Sequence, residues 1–140
     1  MSEVGLTAAG ERVLREAENF CWRANVAIIA AEHLLAGALL LLQRDGQAAL
    51  PPEERLKEAL VAVHGSGSQA LTNNVMWGSS GRQALDATAT AVREAGGTAI
   101  GPPEIARGVI ESGEIGPMFY SALGLGREAL LAALLPAGPG

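Results

Sequence analysis

The first part of the chain has apolar side chains at helical spacing on one face and charged side chains on the other. This pattern predicts a helix from about residue 8 to residue 24. Thr7 is expected to cap its N-terminus, and Asn25 to end it. The inward positions are Val13, Leu14, Ala17, Cys21 and Ala24.

A second helix is predicted from about Ala31 to Gln43. Its leucines recur at helical spacing, and its near lack of charge indicates burial on most sides. Pro51-Pro52-Glu53-Glu54 then places prolines and acids in the first turn of a third helix, which is expected to end near His64. A short piece from Asp45 to Leu50 lies between the two.

The second half of the chain repeats the first. With a shift of 71 residues and no gap, the identical positions include Gly10 and Gly81, Leu14 and Leu85, Ala24 and Ala95, Ile29 and Ile100, Gly37 and Gly108. A repeat of this length indicates two similar helical units that bury their faces together. We predict one domain over residues 1–140, with repeats at about 6–64 and 79–135 and a bridge at about 65–78.

The helices of the second half follow from the same signals. Ser79 or Ser80 is expected to cap a helix to about Ala95, and Pro102-Pro103-Glu104 to open a helix to about Glu111. Two last helices are predicted within 113–123 and 127–135. Only 4% of the residues are aromatic, and alanine and leucine are abundant, so the chain is predicted to be all-α.

Charge and composition exclude several classes of function. The net charge is −5, and no basic stripe is present that would neutralise phosphates, so we expect no nucleic-acid binding. The apolar stretch from Ala24 to Leu42 contains Glu32 and His33 near its middle, which disfavours a membrane span. Cys21 has no partner for an internal disulfide, and we expect a cytoplasmic protein that does not contact a membrane.

The residue types needed for catalysis are missing. The only lysine, Lys57, is not in a phosphate-binding loop, and His33 and His64 lack the clustered ligands of a zinc site. Gly124-x-Gly126 resembles part of a dinucleotide fingerprint, but no strand precedes it. We therefore predict a protein that is not an enzyme and has no metal and no cofactor.

The motif Leu6-Thr7-x-x-Gly10-x-Arg12-Val13-Leu14, followed by Ile29-x-x-Glu32-His33-Leu34-Leu35-x-Gly37, resembles the N-terminal domain of Clp/Hsp100 unfoldases, most closely the ClpC type. The resemblance covers nearly the whole chain. It implies eight helices in two four-helix repeats related by a pseudo-twofold axis. It also implies a non-catalytic domain that docks substrates and adaptors for an ATP-driven unfolding ring, a Clp-type AAA+ unfoldase.

In ClpC-like proteins, grooves built from the motif threonine and glutamate accept phosphoarginine-marked proteins. The resemblance places Thr7, Val13 and Glu32 in the first groove, whereas Gly78 and Pro103 stand at the second pair of positions. Since glycine and proline offer no carboxylate to a guanidinium, we expect one weakened groove and one inactive groove. A plainer role for Glu32 is a first-turn acid that the helix dipole stabilises.

Leu6 and Trp77 stand at the first motif position of the two repeats, which is aromatic in the family. There the resemblance implies contact with peptides and adaptors, and ordinary burial is the plainer alternative for Trp77. The relaxed motifs favour a freestanding accessory of a Clp machine over the front of an unfoldase. A second hypothesis is a sensor or sequestering protein that binds small molecules or cyclic peptides in the cleft between the repeats.

Overall fold

The computed structural model describes residues 4–47, 49–67 and 75–134. These residues form seven helices, in agreement with the all-α prediction: α1 (Ala8–Ala24), α2 (Ala31–Arg44), α3 (Glu53–His64), α4 (Ser79–Glu94), α5 (Pro102–Glu111), α6 (Pro117–Leu123) and α7 (Arg127–Ala133). Four strands of two residues each accompany them: β1 (Gly5–Leu6), β2 (Ile28–Ile29), β3 (Met76–Trp77) and β4 (Ala99–Ile100).

The ends of α1 follow the signals in its sequence. The hydroxyl of Thr7 accepts a hydrogen bond from the Gly10 N–H at 3.0 Å, which satisfies one of the free donors of the first turn. Asn25 takes the left-handed conformation with φ 57°, and its N–H donates to the carbonyls of the last turn. Asparagine tolerates this conformation better than most residues, so the helix ends where the sequence predicts.

The strands join the two halves of the chain. β1 pairs in parallel with β4, with Gly5 opposite Ala99, and β2 pairs in parallel with β3, with Ile28 opposite Met76. A shift of 71 residues converts the first pairing into the second with the partners exchanged. The two strand pairs are therefore equivalent under the same shift that aligns the two halves of the sequence.

Two of the identical glycines explain how the strands approach the helices. A Cβ at Gly10 in α1 would collide with the carbonyl oxygen of Ile100, and a Cβ at Gly81 in α4 would come within 2.9 Å of the carbonyl oxygen of Ile29. Each helix therefore lies directly on the strand of the other half. Any larger residue would push the strand away.

The core lies around α2 and α5, which pack against each other at the centre. Leu34, Leu35 and Leu39 of α2 are fully buried, and so are Ile105 and Val109 of α5. This confirms that the nearly uncharged second helix is central. In the part of the chain that the structure describes, no helix is both long and apolar enough to cross a membrane.

Two details differ from the sequence predictions, and two predicted segments lie outside the described residues. The resemblance implies eight helices, but the described residues of the segment 45–50 form turns where the second half has α6. The N-cap of α4 is Gly78, without a side-chain hydrogen bond, whereas the Ser80 hydroxyl accepts from the N–H of Ala31 in α2 at 3.0 Å. Within the predicted bridge, residues 68–74 lie outside the described part, as do residues 135–140 of the predicted C-terminal tail.

Candidate functional site

An open groove runs between α1 and α4, with a cavity volume of about 340 Å³. We call it the α1/α4 groove, and five residues line it: Leu14, Trp77, Arg82, Leu85 and Asp86. Leu14 and Leu85 are equivalent positions of the two halves, so the groove lies where the two halves meet. Apolar side chains form its floor, and one cation and one anion flank it.

Trp77 is held in this groove by the strand before α4. Its backbone pairs with Ile29, and its ring lies over Gly81, where an added Cβ would come within 3.1 Å of the ring. The indole is only partly buried, so one part of it packs on the protein and another part faces solvent. Tryptophan in this state is a frequent anchor in protein interfaces. Leu6, its equivalent in β1, is partly buried against the core.

Thr7 lies beside the second half of the chain. Apart from capping α1, its hydroxyl is 3.5 Å from the carbonyl oxygen of Ile100, and it is close to Gly101. The carboxylate of Glu104 accepts from the Gly101 N–H at 2.9 Å, which closes the first turn of α5. The polar surroundings of Thr7 therefore come from the start of α5.

Glu32 lies in the first turn of α2, where its carboxylate already has hydrogen-bond partners. The residue is 6% exposed, one carboxylate oxygen is 3.0 Å from Nε2 of His64, and the other accepts from the Gly116 N–H at 3.4 Å. Burial alone would raise the pKa of Glu32, but the hydrogen bonds from His64 and the backbone outweigh it and hold the pKa below its usual range. The carboxylate thus ties α2 to α3 and to the start of α6.

His33 is a packing residue at the start of α2. Its Nδ1 accepts from the Ala30 N–H at 3.0 Å, and its ring stacks on His64 with 4.7 Å between the ring centroids. Burial, together with the charge of His64, lowers the pKa of His33 to about 4, although Glu32 acts in the opposite direction. The imidazole is therefore neutral at physiological pH.

The structure does not bring the residues of the predicted phosphoarginine groove together. The contacts of Thr7 are with Ile100 and Gly101, those of Glu32 are with His64 and Gly116, and Val13 is fully buried. Val13 presents no surface to a ligand in this conformation. That groove stays a prediction from the sequence, whereas Trp77 does lie at an open surface.

Sequence reasoning missed one exposed feature beside Trp77. Ile28 and Met76 are partners in the β2–β3 pair, and the two residues are 55% and 67% exposed. The equivalent pair, Gly5 and Ala99, has almost no apolar surface to offer. The sequence alone does not reveal these strands, because a strand of two residues leaves no periodicity in the sequence.

The described residues include neither a metal-binding cluster nor a thiol that is ionised at neutral pH. Among them, no group of three or more histidine, cysteine or acidic residues could hold a metal ion. Cys21 is buried, and burial together with the charge of Glu18 raises the pKa of its thiol to about 12, so it is not a thiolate at neutral pH.

Comparison with known proteins identifies the fold. No family model matches the sequence, and neither does any curated protein. Among solved structures, the chain is similar to the N-terminal domain of the caseinolytic protease associated chaperone ClpD from Arabidopsis thaliana. The TM-score is 0.76 at 20% sequence identity, and the match covers 92% of this chain and 91% of that chain. The chain therefore has the fold of a Clp N-terminal domain, as the sequence motifs predict.

Proposed function

We propose that this protein is a non-catalytic protein-binding module that docks substrates or adaptors for an ATP-dependent Clp chaperone or protease. The observation that carries the proposal is the α1/α4 groove, in which Trp77 is held by backbone pairing while part of its ring stays open to solvent. A rigid aromatic anchor loses little conformational freedom on binding, and the apolar floor accepts side chains of an unfolded segment.

The two charges beside the floor support the same role. Arg82 and Asp86 are exposed residues one turn apart on α4, and both line the groove. Together they offer hydrogen-bond donors and acceptors to the backbone of a peptide without imposing a net charge on it. The groove is thus suited to apolar segments of varied sequence.

Fluorescence anisotropy with labelled β-casein, a largely unfolded protein, tests this proposal. We expect Trp77→Ala to weaken binding about 30-fold, since buried tryptophan anchors contribute about 2 kcal/mol or more, and Trp77→Phe to weaken it less. Trp22→Ala is the matched control, because Trp22 is 39% exposed and lies outside the groove. Equal affinity of the wild type and Trp77→Ala would exclude the groove as the docking site.

A second measurement connects the module to a Clp machine. An excess of the wild-type protein is expected to change the rate at which a Clp unfoldase and its protease degrade β-casein, while Trp77→Ala has little effect. Unchanged rates with both proteins would contradict the role in Clp function. If cyclic peptides bind the groove and raise the unfolding midpoint while β-casein does not bind, the sensor hypothesis replaces the docking hypothesis.

We also propose that the module acts as a separate accessory. The support is the departure from the family motifs at Gly78 and Pro103, which suggests a relaxed docking role. An intact mass near 14.3 kDa for the native protein in its own cells is the expected result. A mass several times larger would make the chain the docking domain of an unfoldase.

A further inference from the structure

A second cavity, of about 180 Å³, opens between the end of α1, the first turn of α2 and the second half of α3. We call it the α1/α3 pocket. Phe20, Leu60 and Val61 form its apolar wall. Its volume is comparable to that of a cavity of about 150 Å³ that binds benzene, and smaller than the roughly 300 Å³ of a site for a drug-sized ligand. It therefore has room for one apolar group the size of a side chain.

Both charged residues that line this pocket are cations, Arg23 of α1 and Lys57 of α3. They lie close together, because Arg23 Nη1 is 3.1 Å and Lys57 Nζ is 3.9 Å from the same oxygen of Glu53, which is not part of the wall. Lys57 Nζ is also 3.7 Å from Glu54. Both of these Lys57 distances exceed a normal hydrogen bond, so neither glutamate uses the ammonium donors directly.

His33 completes the inner wall with a neutral ring. Because Nδ1 accepts the Ala30 N–H, the proton of the neutral imidazole is assigned to Nε2. The pocket thus has an uncharged inner wall, and the two charged residues that line it are cations whose acidic neighbours, Glu53 and Glu54, lie outside the lining. A ligand that matches it carries an apolar group and an anion a few bonds apart.

We propose that the α1/α3 pocket binds an apolar, side-chain-sized group that carries a carboxylate. Two sources have this chemistry: the C-terminal residue of a polypeptide and a free N-acylated amino acid. An internal residue of a peptide fits less well, since it has no carboxylate to accept hydrogen bonds from Lys57 and Arg23. The site involves different residues from the α1/α4 groove and does not depend on the function proposed for it.

Isothermal titration calorimetry tests the ligand chemistry. The probes are N-acetyl-phenylalanine and its amide, which has the same ring but no negative charge. We expect the acid to bind at millimolar or lower concentration, and the amide to bind about tenfold more weakly, because charge-assisted hydrogen bonds are stronger than neutral ones. Equal binding of the two probes, or no binding of the acid at millimolar concentration, overturns the proposal.

Variants locate the binding. Lys57→Met is expected to weaken binding of the acid about tenfold and leave binding of the amide unchanged. Arg107→Met is the control, because the two side chains have almost the same exposure, 39% and 38%, and Arg107 lies outside the pocket. Ala24→Leu fills the pocket and should abolish binding of both probes. Acid binding that is unaffected by Lys57→Met, or weakened equally by Arg107→Met, overturns the assignment.

Two further arms complete the test. Val61→Trp fills the pocket from an exposed position of α3, so it replaces Ala24→Leu if that variant does not fold. A hexapeptide of glycine and serine that ends in phenylalanine separates the sources. Binding at least as tight as that of the free acid supports a chain end, and loss of binding supports the free acid as the ligand. Trp77→Ala should leave all of these affinities unchanged, which distinguishes this site from the docking groove.

Discussion

Acidification should destabilise this protein through His33 at a higher pH than that at which Glu32 is protonated. The imidazole accepts the Ala30 N–H through Nδ1, and protonation of that nitrogen would replace the hydrogen bond with two facing donors. Burial and the charge of His64 lower the pKa of His33 to about 4 in the folded chain, whereas an unfolded histidine titrates near about 6.5. Between these values the unfolded chain binds the extra proton, so the stability contributed by neutral His33 is complete above about pH 6.5 and falls as the pH falls toward 4.

The size of the effect follows from the two pKa values. A difference of about 2.5 pKa units corresponds to about 3 kcal/mol once the pH is near 4, and about 2 kcal/mol of this is lost between pH 7 and pH 5. Glu32 also contacts the cluster, but its pKa is lowered, so its contribution is lost only as the pH falls below about 4.3. The range from pH 7 to pH 5 therefore isolates the histidine effect from Glu32.

Urea unfolding followed by far-ultraviolet circular dichroism at pH 7, 6 and 5 measures this loss. His33→Gln is the matched variant, because glutamine is similar in size and can accept the same N–H bond but does not titrate. The free energy of unfolding of the wild type should fall by about 2 kcal/mol between pH 7 and pH 5, and that of His33→Gln should fall much less. Equal losses in both proteins would refute the role assigned to His33.

Two further predictions concern a polar contact between the halves and the phosphoarginine groove. Ser80→Ala should cost about 1 kcal/mol of stability, since it removes the acceptor of the Ala31 N–H at the start of α2, whereas Ser79→Ala should change little; urea unfolding compares the two. If phosphoarginine binds in the groove predicted from the sequence, Glu32→Ala should abolish binding in calorimetry and Glu104→Ala should not. Equal loss in two folded variants would disprove the one-groove hypothesis, and no binding by the wild type would remove phosphoarginine as a ligand.

The helices could be predicted because their signals are local. The N-cap Thr7 and the left-handed Asn25 are adjacent to the helix that they delimit, and α5 begins at Pro102 and ends at Glu111 as its prolines and apolar spacing indicate. The likeness to a Clp N-terminal domain was also predictable, since two short motifs recur at one spacing. The part played by Trp77 stays a prediction, although the structure places it in an open groove.

The remaining features depend on contacts between distant parts of the chain. The sequence predicts Ser79 or Ser80 as the cap of α4, but Gly78 is the N-cap and the Ser80 hydroxyl accepts from Ala31, 49 positions away. Glu32 meets His64 across 32 positions, and nothing near Glu32 in the sequence indicates this partner. Such hydrogen-bonded pairs depend on how distant segments pack against each other. Hydrophobic periodicity specifies which face of a helix is buried, but not which polar group it meets there.

The exchanged pairing of the strands has a consequence for synthesis on the ribosome. Among the described residues, β1 pairs with β4 and β2 pairs with β3, and the bond between Thr7 and Ile100 spans 93 positions. The N-terminal half therefore leaves the ribosome before the partners of its two strands have been made. Contacts of such long range slow folding, since a large loop must close before they form. In the meantime, the unpaired edges of a nascent chain could be completed by the C-terminal half of a second chain. The protein is thus open to domain swapping until its own second half has been made.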